Sequence, residues 1–229
     1  MAGTALVIGA TGGIGSALVA ALEARGGHDR VVALSRASDP PVDVCSEPSI
    51  ASAADWLKES AGPPRLVIDA TGFLHDDRFG PEKALAEIDP DHMAKAFAIN
   101  ATGPALLMKH VLPLLPRGER AVFATLSARV GSIGDNRLGG WHAYRASKAA
   151  LNQLVRGASI ELGRKNREAV CVALHPGTVD TPLSQPFARS GLDVRAPKVA
   201  AEEILDLIDG LTPADSGGFF DHKGERMEY

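Results

Sequence analysis

A tyrosine and a lysine four residues apart, Tyr144 and Lys148 in Tyr-Arg-Ala-Ser-Lys, carry the most suggestive chemistry of this 229-residue chain. On a helix, that spacing puts both side chains on one face. A free phenol, with a pKa of about 10, exchanges its proton poorly near neutrality. A neighbouring ammonium favours the phenolate. The pair can then give a proton to a carbonyl oxygen being reduced, or take one from an alcohol being oxidised. Only two tyrosines occur, Tyr144 and Tyr229, so chance matches to such a pair are few.

A second set of residues suits a dinucleotide. Gly9-Ala10-Thr11-Gly12-Gly13-Ile14-Gly15 follows an apolar run and precedes a helical pattern. Glycines let the backbone turn tightly and approach a pyrophosphate, while the helix start offers free N–H groups and a positive dipole end. About twenty residues further on, where an NAD-selecting enzyme places an acid, the chain has Ser35 and Arg36. A hydroxyl and a guanidinium suit a 2′-phosphate, so NADP(H) is favoured over NAD(H). Asp43 and Val44, at a third short run, stand where an acceptor would meet adenine. Ala70-Thr71-Gly72 end a fourth run, where backbone again meets the cofactor.

These residues need elements to position them. Apolar runs at 5–8, 30–34, 42–44, 66–69, 121–125, 170–174 and 218–221 read as strands. Between them, helical periodicity covers 14–25, 49–60, 92–115, 141–164 and 198–211. This alternation specifies βαβ units and a parallel sheet buried on both faces. The expectation is one α/β domain over residues 1–229: a Rossmann fold with a doubly wound seven-stranded sheet, order 3-2-1-4-5-6-7, and helices on both faces. The cofactor would lie along the carboxyl ends of the strands. The stretch 182–197 lacks periodicity and is expected to cover the substrate.

Composition narrows the function. Apolar residues make up 45% and charged residues 23%, as in ordinary globular proteins. A net charge of −4 gives no footprint for nucleic acid. No apolar run approaches the roughly 20 residues that cross a bilayer, and no basic leader precedes the first strand. Cys45 and Cys171 read as small buried residues, and a cytoplasmic location is expected. His75-Asp76-Asp77 are contiguous and read as a solvated loop, with no metal site.

In their order along the chain, the glycine turn, Asn100 within Ile-Asn-Ala-Thr-Gly, Ser127, Tyr144 with Lys148, and His175-Pro176-Gly177-Thr178 resemble the short-chain dehydrogenase/reductase family. The resemblance covers essentially the whole chain. Arg129-Val130-Gly131-Ser132-Ile133, Gly139-Gly140-Trp141 and the Gly-Gly-Phe-Phe-Asp ending are similar to its C-factor and sniffer-type carbonyl reductase subgroup. The resemblance implies an NADP(H)-dependent enzyme acting on a small carbonyl or alcohol. It also implies roles. Gly9, Gly13 and Gly15 would hold the pyrophosphate, and Ala70, Thr71 and Gly72 would line a ribose. Asn100 would interrupt its helix and hold a water linked to Lys148. Tyr144 would be the general acid, and Lys148 would also bind the nicotinamide ribose. Pro176, Gly177, Thr178 and Val179 would pass beside the nicotinamide, with Thr181 near its carboxamide. The apolar faces of 92–115 and 141–164 would pair in a homodimer or homotetramer.

One departure matters. On the family register the catalytic serine falls at Ala128, which has no hydroxyl. Ser127 is the expected substitute; Ser132 is the other candidate, and action by Tyr144 without a serine is the third. The competing reading is an NADP(H)-binding sensor or C-factor-like signalling protein with weak or no catalysis.

Overall fold

Short apolar runs become strands, and nearly all fall where periodicity places them. The computed structural model describes residues 3–187 and 193–229. Strands β1 (Thr4–Ile8), β2 (Arg30–Leu34), β3 (Pro64–Asp69), β4 (Ala121–Leu126) and β5 (Ala169–His175) are joined by β8 (Phe219–Asp221) in one sheet of order β2-β1-β3-β4-β5-β8. Every pairing in it is parallel. Two short strands, β6 (Thr178–Val179) and β7 (Val194–Arg195), pair separately beyond the end of β5.

Alternation along β1 shows why both faces need cover. Leu6 and Ile8 point to one side, with Phe123 of β4 and Cys171 of β5. Ala5 and Val7 point to the other, with Val122 and Val172. Helices α2 (Glu47–Trp56), α4 (Gly103–Val111) and α5 (His142–Lys165) close the first side through Ile50, Leu107, Leu151 and Val155. Helices α1 (Gly13–Arg25) and α6 (Pro197–Gly210) close the second through Leu18, Leu22, Ile204 and Ile208. Helix α3 (Pro90–Phe97) starts at Asp89, whose carboxylate accepts the His92 N–H at 2.9 Å.

The doubly wound Rossmann architecture stands as expected, with one strand fewer. Residues 42–44 form no strand. Pro40 and Pro41 supply no donors there, and side chains take the backbone groups a ladder would need. Asp43 N–H goes to Ser49 Oγ at 3.0 Å, and Cys45 N–H goes to Asp43 Oδ1 at 2.9 Å. Cys45 is accordingly exposed, not buried as expected, whereas Cys171 is buried; both are free thiols. The expected helix 92–115 is also divided. A π-helical turn, Ala98–Thr102, separates α3 from α4 and contains Asn100.

Within 182–197, a 3₁₀ turn (Gln185–Phe187) and β7 are present, and residues 188–192 lie outside the described residues. Among the described residues, no helix is long and apolar enough to cross a membrane.

Candidate active site

A cleft of ≈ 280 Å³ opens at the carboxyl ends of β1, β3, β4 and β5. Thr11, Gly12, Gly13 and Ile14 form one wall, and Ala70, Thr71 and Gly72 form its floor. Ser127, Tyr144 and Lys148 face them, with Pro176, Thr181, Pro182 and Leu183 closing the far side. The cleft gathers residues up to 172 positions apart, from Thr11 to Leu183; of its lining only Leu126 was not singled out in the sequence, Pro182 and Leu183 falling in the stretch 182–197.

The glycine turn is built for close approach. Gly9 has a φ of 82°, and a Cβ on Gly15 would stand 2.2 Å from its carbonyl oxygen. A Cβ on Gly13 would meet Thr181 Cγ2 at 2.7 Å, which ties the turn to the opposite wall. Helix α1 then begins with Gly12 as its cap, no side-chain cap and no acid in its first turn. Its amino end therefore keeps its partial positive charge facing the cleft, the arrangement that suits a pyrophosphate.

The remaining cofactor candidates lie at the end of β2. Ser35 is buried and its hydroxyl accepts the Ala37 N–H at 3.1 Å. Arg36 and Asp43 are exposed, and Val44 is buried against Gly103. Gly177 has a φ of 74°, and the guanidinium of Arg195 fills the space a side chain there would need. Arg195 donates to the Pro176 carbonyl at 2.7 Å and to Glu203 at 2.7 Å, so it fixes the Pro176–Gly177 turn against α6. Thr178 and Val179 follow in β6.

Around Lys148 the side chains form a closed polar nest. Its Nζ donates to the Leu126 carbonyl at 2.7 Å, and the side chain is fully enclosed, at 2% exposure. Burial brings its pKa down to about 8, against the pull of the nearby Asp69 carboxylate. Asp69 is itself buried. It accepts the Thr71 N–H and hydroxyl at 3.0 and 2.6 Å and the Thr125 hydroxyl at 2.7 Å. Burial raises its pKa, while these hydrogen bonds and Lys148 oppose the rise. Asn100 is fully buried; its Oδ1 accepts the Phe73 N–H at 2.8 Å, and its Nδ2 donates to the Phe73 carbonyl at 2.8 Å and to Ser147 Oγ at 3.0 Å. A Cβ added at Gly72 would lie 3.9 Å from both Asn100 Oδ1 and Lys148 Nζ, so the two groups converge on that glycine.

Tyr144 is half-buried in the wall of the cleft. Burial pushes its phenol up to about 12. The Lys148 ammonium lies 5.9 Å from the ring centroid and gives one of its N–H groups to the Leu126 carbonyl.

The two serine candidates are placed differently. Ser127 lines the cleft, and its hydroxyl donates to Asn152 Oδ1 at 2.7 Å. Asn152 lies one further turn along the Tyr144–Lys148 face of α5, and its Nδ2 has no partner. Ser132 is held elsewhere, accepting the Asp135 N–H at 3.1 Å.

Sequence reading missed Asp69, Asn152 and Arg195. A carboxylate ending an otherwise apolar parallel strand was the signal available for Asp69. Asn152 and Arg195 offered none.

A family model described as enoyl-(acyl carrier protein) reductase matches residues 9–201. The chain is 40% identical to the C-signal protein of Myxococcus xanthus over 168 residues, which are 73% of this chain and 94% of that one. It is 32% identical to 1-hydroxy-2-glutathionyl-2-methyl-3-butene dehydrogenase of Rhodococcus sp. strain AD45, over 99% of each chain. Among solved structures, an NADPH-bound carbonyl reductase from chicken fatty liver superposes with a TM-score of 0.85 at 25% identity, covering 99% of this chain and 98% of that one.

One titration at the edge of the site has a consequence for stability. His175 ends β5 with its Nδ1 buried and unpartnered. Burial, with positive Arg129 and His222 nearby, lowers its pKa from 6.5 to about 4. The unfolded chain therefore takes up this proton first as pH falls. Stability is full above pH 6.5 and is lost on the way down to 4, by about 3 kcal/mol. His175→Gln should flatten that part of the acid limb, read as urea midpoints between pH 7.5 and 4. An acid slope equal to the wild type's would contradict the assignment.

Proposed function

Given that the chain belongs to the short-chain dehydrogenase/reductase family, we propose that it is an NADP(H)-dependent carbonyl reductase in which Tyr144 is the general acid. The observation that carries this reading is a single cleft holding an uncapped glycine turn, the half-buried Tyr144 and the buried Lys148. Bound NADPH supplies the hydride; the rest is the work of the chain. The α1 amino end and the glycine turn hold the pyrophosphate. Arg36, free in solvent beyond β2, reads the 2′-phosphate, with Ser35 shaping the turn that presents it. Pro176, Gly177, Thr178 and Val179, fixed by Arg195, flank the nicotinamide with Thr181.

A substrate carbonyl would lie between Tyr144 and Pro182–Leu183. Tyr144, neutral at working pH, gives its proton to the substrate oxygen. The Lys148 ammonium faces the phenolate this leaves. Ser127 supports the same oxygen: rotation of the Asn152 amide presents Nδ2 to Ser127 Oγ, and the serine proton is then free to point at substrate. Free thiols at Cys45 and Cys171 suit the reducing cytoplasm.

The second reading, an NADP(H)-binding signalling protein, is favoured by Ala128 and by the likeness to the C-signal protein. In assembly, we propose a homodimer. A groove of ≈ 620 Å³ between α4 and α5, lined by Met108, Leu112, Leu154, Ala158 and Leu162, leaves apolar surface for a second copy.

NADPH consumption followed at 340 nm across aldehydes, ketones and quinones separates the readings. Tyr144→Phe should lower kcat roughly 10²–10⁴-fold, and Ser127→Ala roughly 10²–10³-fold. Tight NADPH binding with no turnover on any substrate would favour the signalling protein. Arg36→Asp should weaken NADPH binding roughly 10–100-fold with little effect on NADH. Equal losses for the two would remove Arg36 from cofactor selection. Sedimentation velocity should show a dimer that Leu154→Arg converts to monomer; a wild-type monomer at micromolar concentration would exclude the assembly.

A further inference from the structure

Glu82 has no task in the reaction described above, yet it is 3% exposed in the loop between β3 and α3. One carboxylate oxygen lies 3.2 Å from Nδ1 of His92, which is equally buried. Both carboxylate oxygens accept the Ala143 N–H, at 3.2 and 3.3 Å. The Glu82 carbonyl accepts the Trp141 N–H at 2.5 Å. One residue therefore grips the chain on both sides of His142, where α5 begins. A carboxylate at the amino end of a helix is also favoured by the helix dipole.

The segment it grips is unusual. Gly139, Gly140 and Trp141 have φ values of 64°, 64° and 53°, and Trp141 is the one non-glycine with positive φ among the described residues. Bulky side chains rarely adopt this conformation, and it persists where the surroundings over-determine it. Here the surroundings are Glu82, together with Asn136 Oδ1, which accepts the Gly139 N–H at 3.0 Å, and Arg145 Nε, which donates to the Gly140 carbonyl at 3.0 Å. A Cβ on Gly140 would stand 3.2 Å from the Glu82 carbonyl oxygen, so the glycine lets the two chains meet.

What the grip fixes is the edge of the site. The Trp141 ring is edge-on to Tyr144 at 6.3 Å and to Phe187 at 5.4 Å. On the other side, His92 is stacked on Phe79 at 5.0 Å and edge-on to Phe73 at 5.9 Å. Phe73 is the residue whose N–H and carbonyl bond Asn100. The clamp is thus continuous with both polar partners of α5.

We propose that Glu82, oriented by His92, is a positioning residue that pins the left-handed Trp141 and the first turn of α5, and so sets where the Tyr144 hydroxyl stands against the Trp141–Phe187 wall. The inference rests on Tyr144 acting as proton donor; the clamp itself is testable without turnover.

The full chain is labelled with 5-fluorotryptophan, and its two tryptophans, Trp56 and Trp141, give two ¹⁹F resonances assigned with Trp56→Phe. Glu82→Ala should move the Trp141 resonance and leave that of Trp56. It should lower kcat roughly 10²-fold, the scale of a misplaced catalytic group, with the KM for NADPH within about two-fold. Glu82→Gln keeps an acceptor for the Ala143 N–H and should restore both readouts. Should Glu82→Ala fail to fold, His92→Phe removes the orienting partner and should move the same resonance with a smaller loss of kcat. A Trp141 resonance unmoved in the variants that fold, or a loss of kcat matched by lost NADPH affinity, would overturn the proposal. Absence of turnover in the wild type would instead count against the carbonyl reductase reading, while the resonances still decide the clamp.

Discussion

Lys148 places an ammonium ion inside the protein, and taking such a charge out of water costs several kcal/mol. The cost is visible in its pKa, brought down to about 8 by burial. Much of the local structure is what keeps that ion tolerable. The Leu126 carbonyl is turned to it at the end of β4, and the buried carboxylate of Asp69 stands close enough to raise its pKa. Gly131 lets the chain after β4 pass against α5: a Cβ there would meet Lys148 Cβ at 2.8 Å and its carbonyl carbon at 2.9 Å. The π-helical turn at Ala98–Thr102 swings Asn100 into the same nest. Strand ends, a glycine and a distorted helix serve one buried charge.

Burial acts oppositely on the two members of the pair. It lifts the Tyr144 phenol to about 12 and drops the Lys148 ammonium to about 8. At neutral pH both are therefore protonated, one neutral and one positive. This is the state from which a proton can be given to a developing alkoxide. The phenolate left behind would face a fixed positive charge in a medium that screens it poorly. The sequence argument had the ammonium acidifying the phenol beforehand. The two descriptions are one interaction, since a charge that stabilises the phenolate lowers the phenol's pKa by the same free energy; in the proposed reaction it acts as the proton leaves.

The sheet was legible because parallel strands buried on both faces must be largely apolar, and β1, β4 and β5 depart from that at Thr4, Thr125 and the terminal His175 alone. The glycine turn and the Tyr144–Lys148 pair were legible because each is local, with spacing set by a turn or a helix. The run 42–44 misled because its apolar pattern suits a strand, while its Val42 N–H goes to the Ser35 carbonyl and its Asp43 N–H to Ser49 Oγ. Helix periodicity over 92–115 could not show a π turn, since one inserted residue shifts the register without removing the apolar face. Glu82 and Asn152 were out of reach for another reason. Their meaning lies in contacts 61 and 25 residues distant in sequence, and neither sits in a recognisable pattern.

Several departures from local rules lie together, while the π turn Leu57–Ala61 and the buried Asp221 carboxylate lie elsewhere. The left-handed run at 139–141, the π turn holding Asn100, and the buried carboxylates of Asp69 and Glu82 all border the elements that carry Tyr144 and Lys148. By contrast, α6 obeys its rules: proline at its start, an apolar face on the core, and charged residues outward. Strain and buried charge persist only where something compensates them, and here each compensation is a contact to another member of the set. Ser147 ties Asn100 to the Tyr144 carbonyl, and Phe73 ties Asn100 to the rings around His92. A set so connected resists piecemeal change, since relaxing one member leaves another with a buried unpaired group. That mutual dependence is the physical reason to look for catalysis here rather than in the larger groove between α4 and α5.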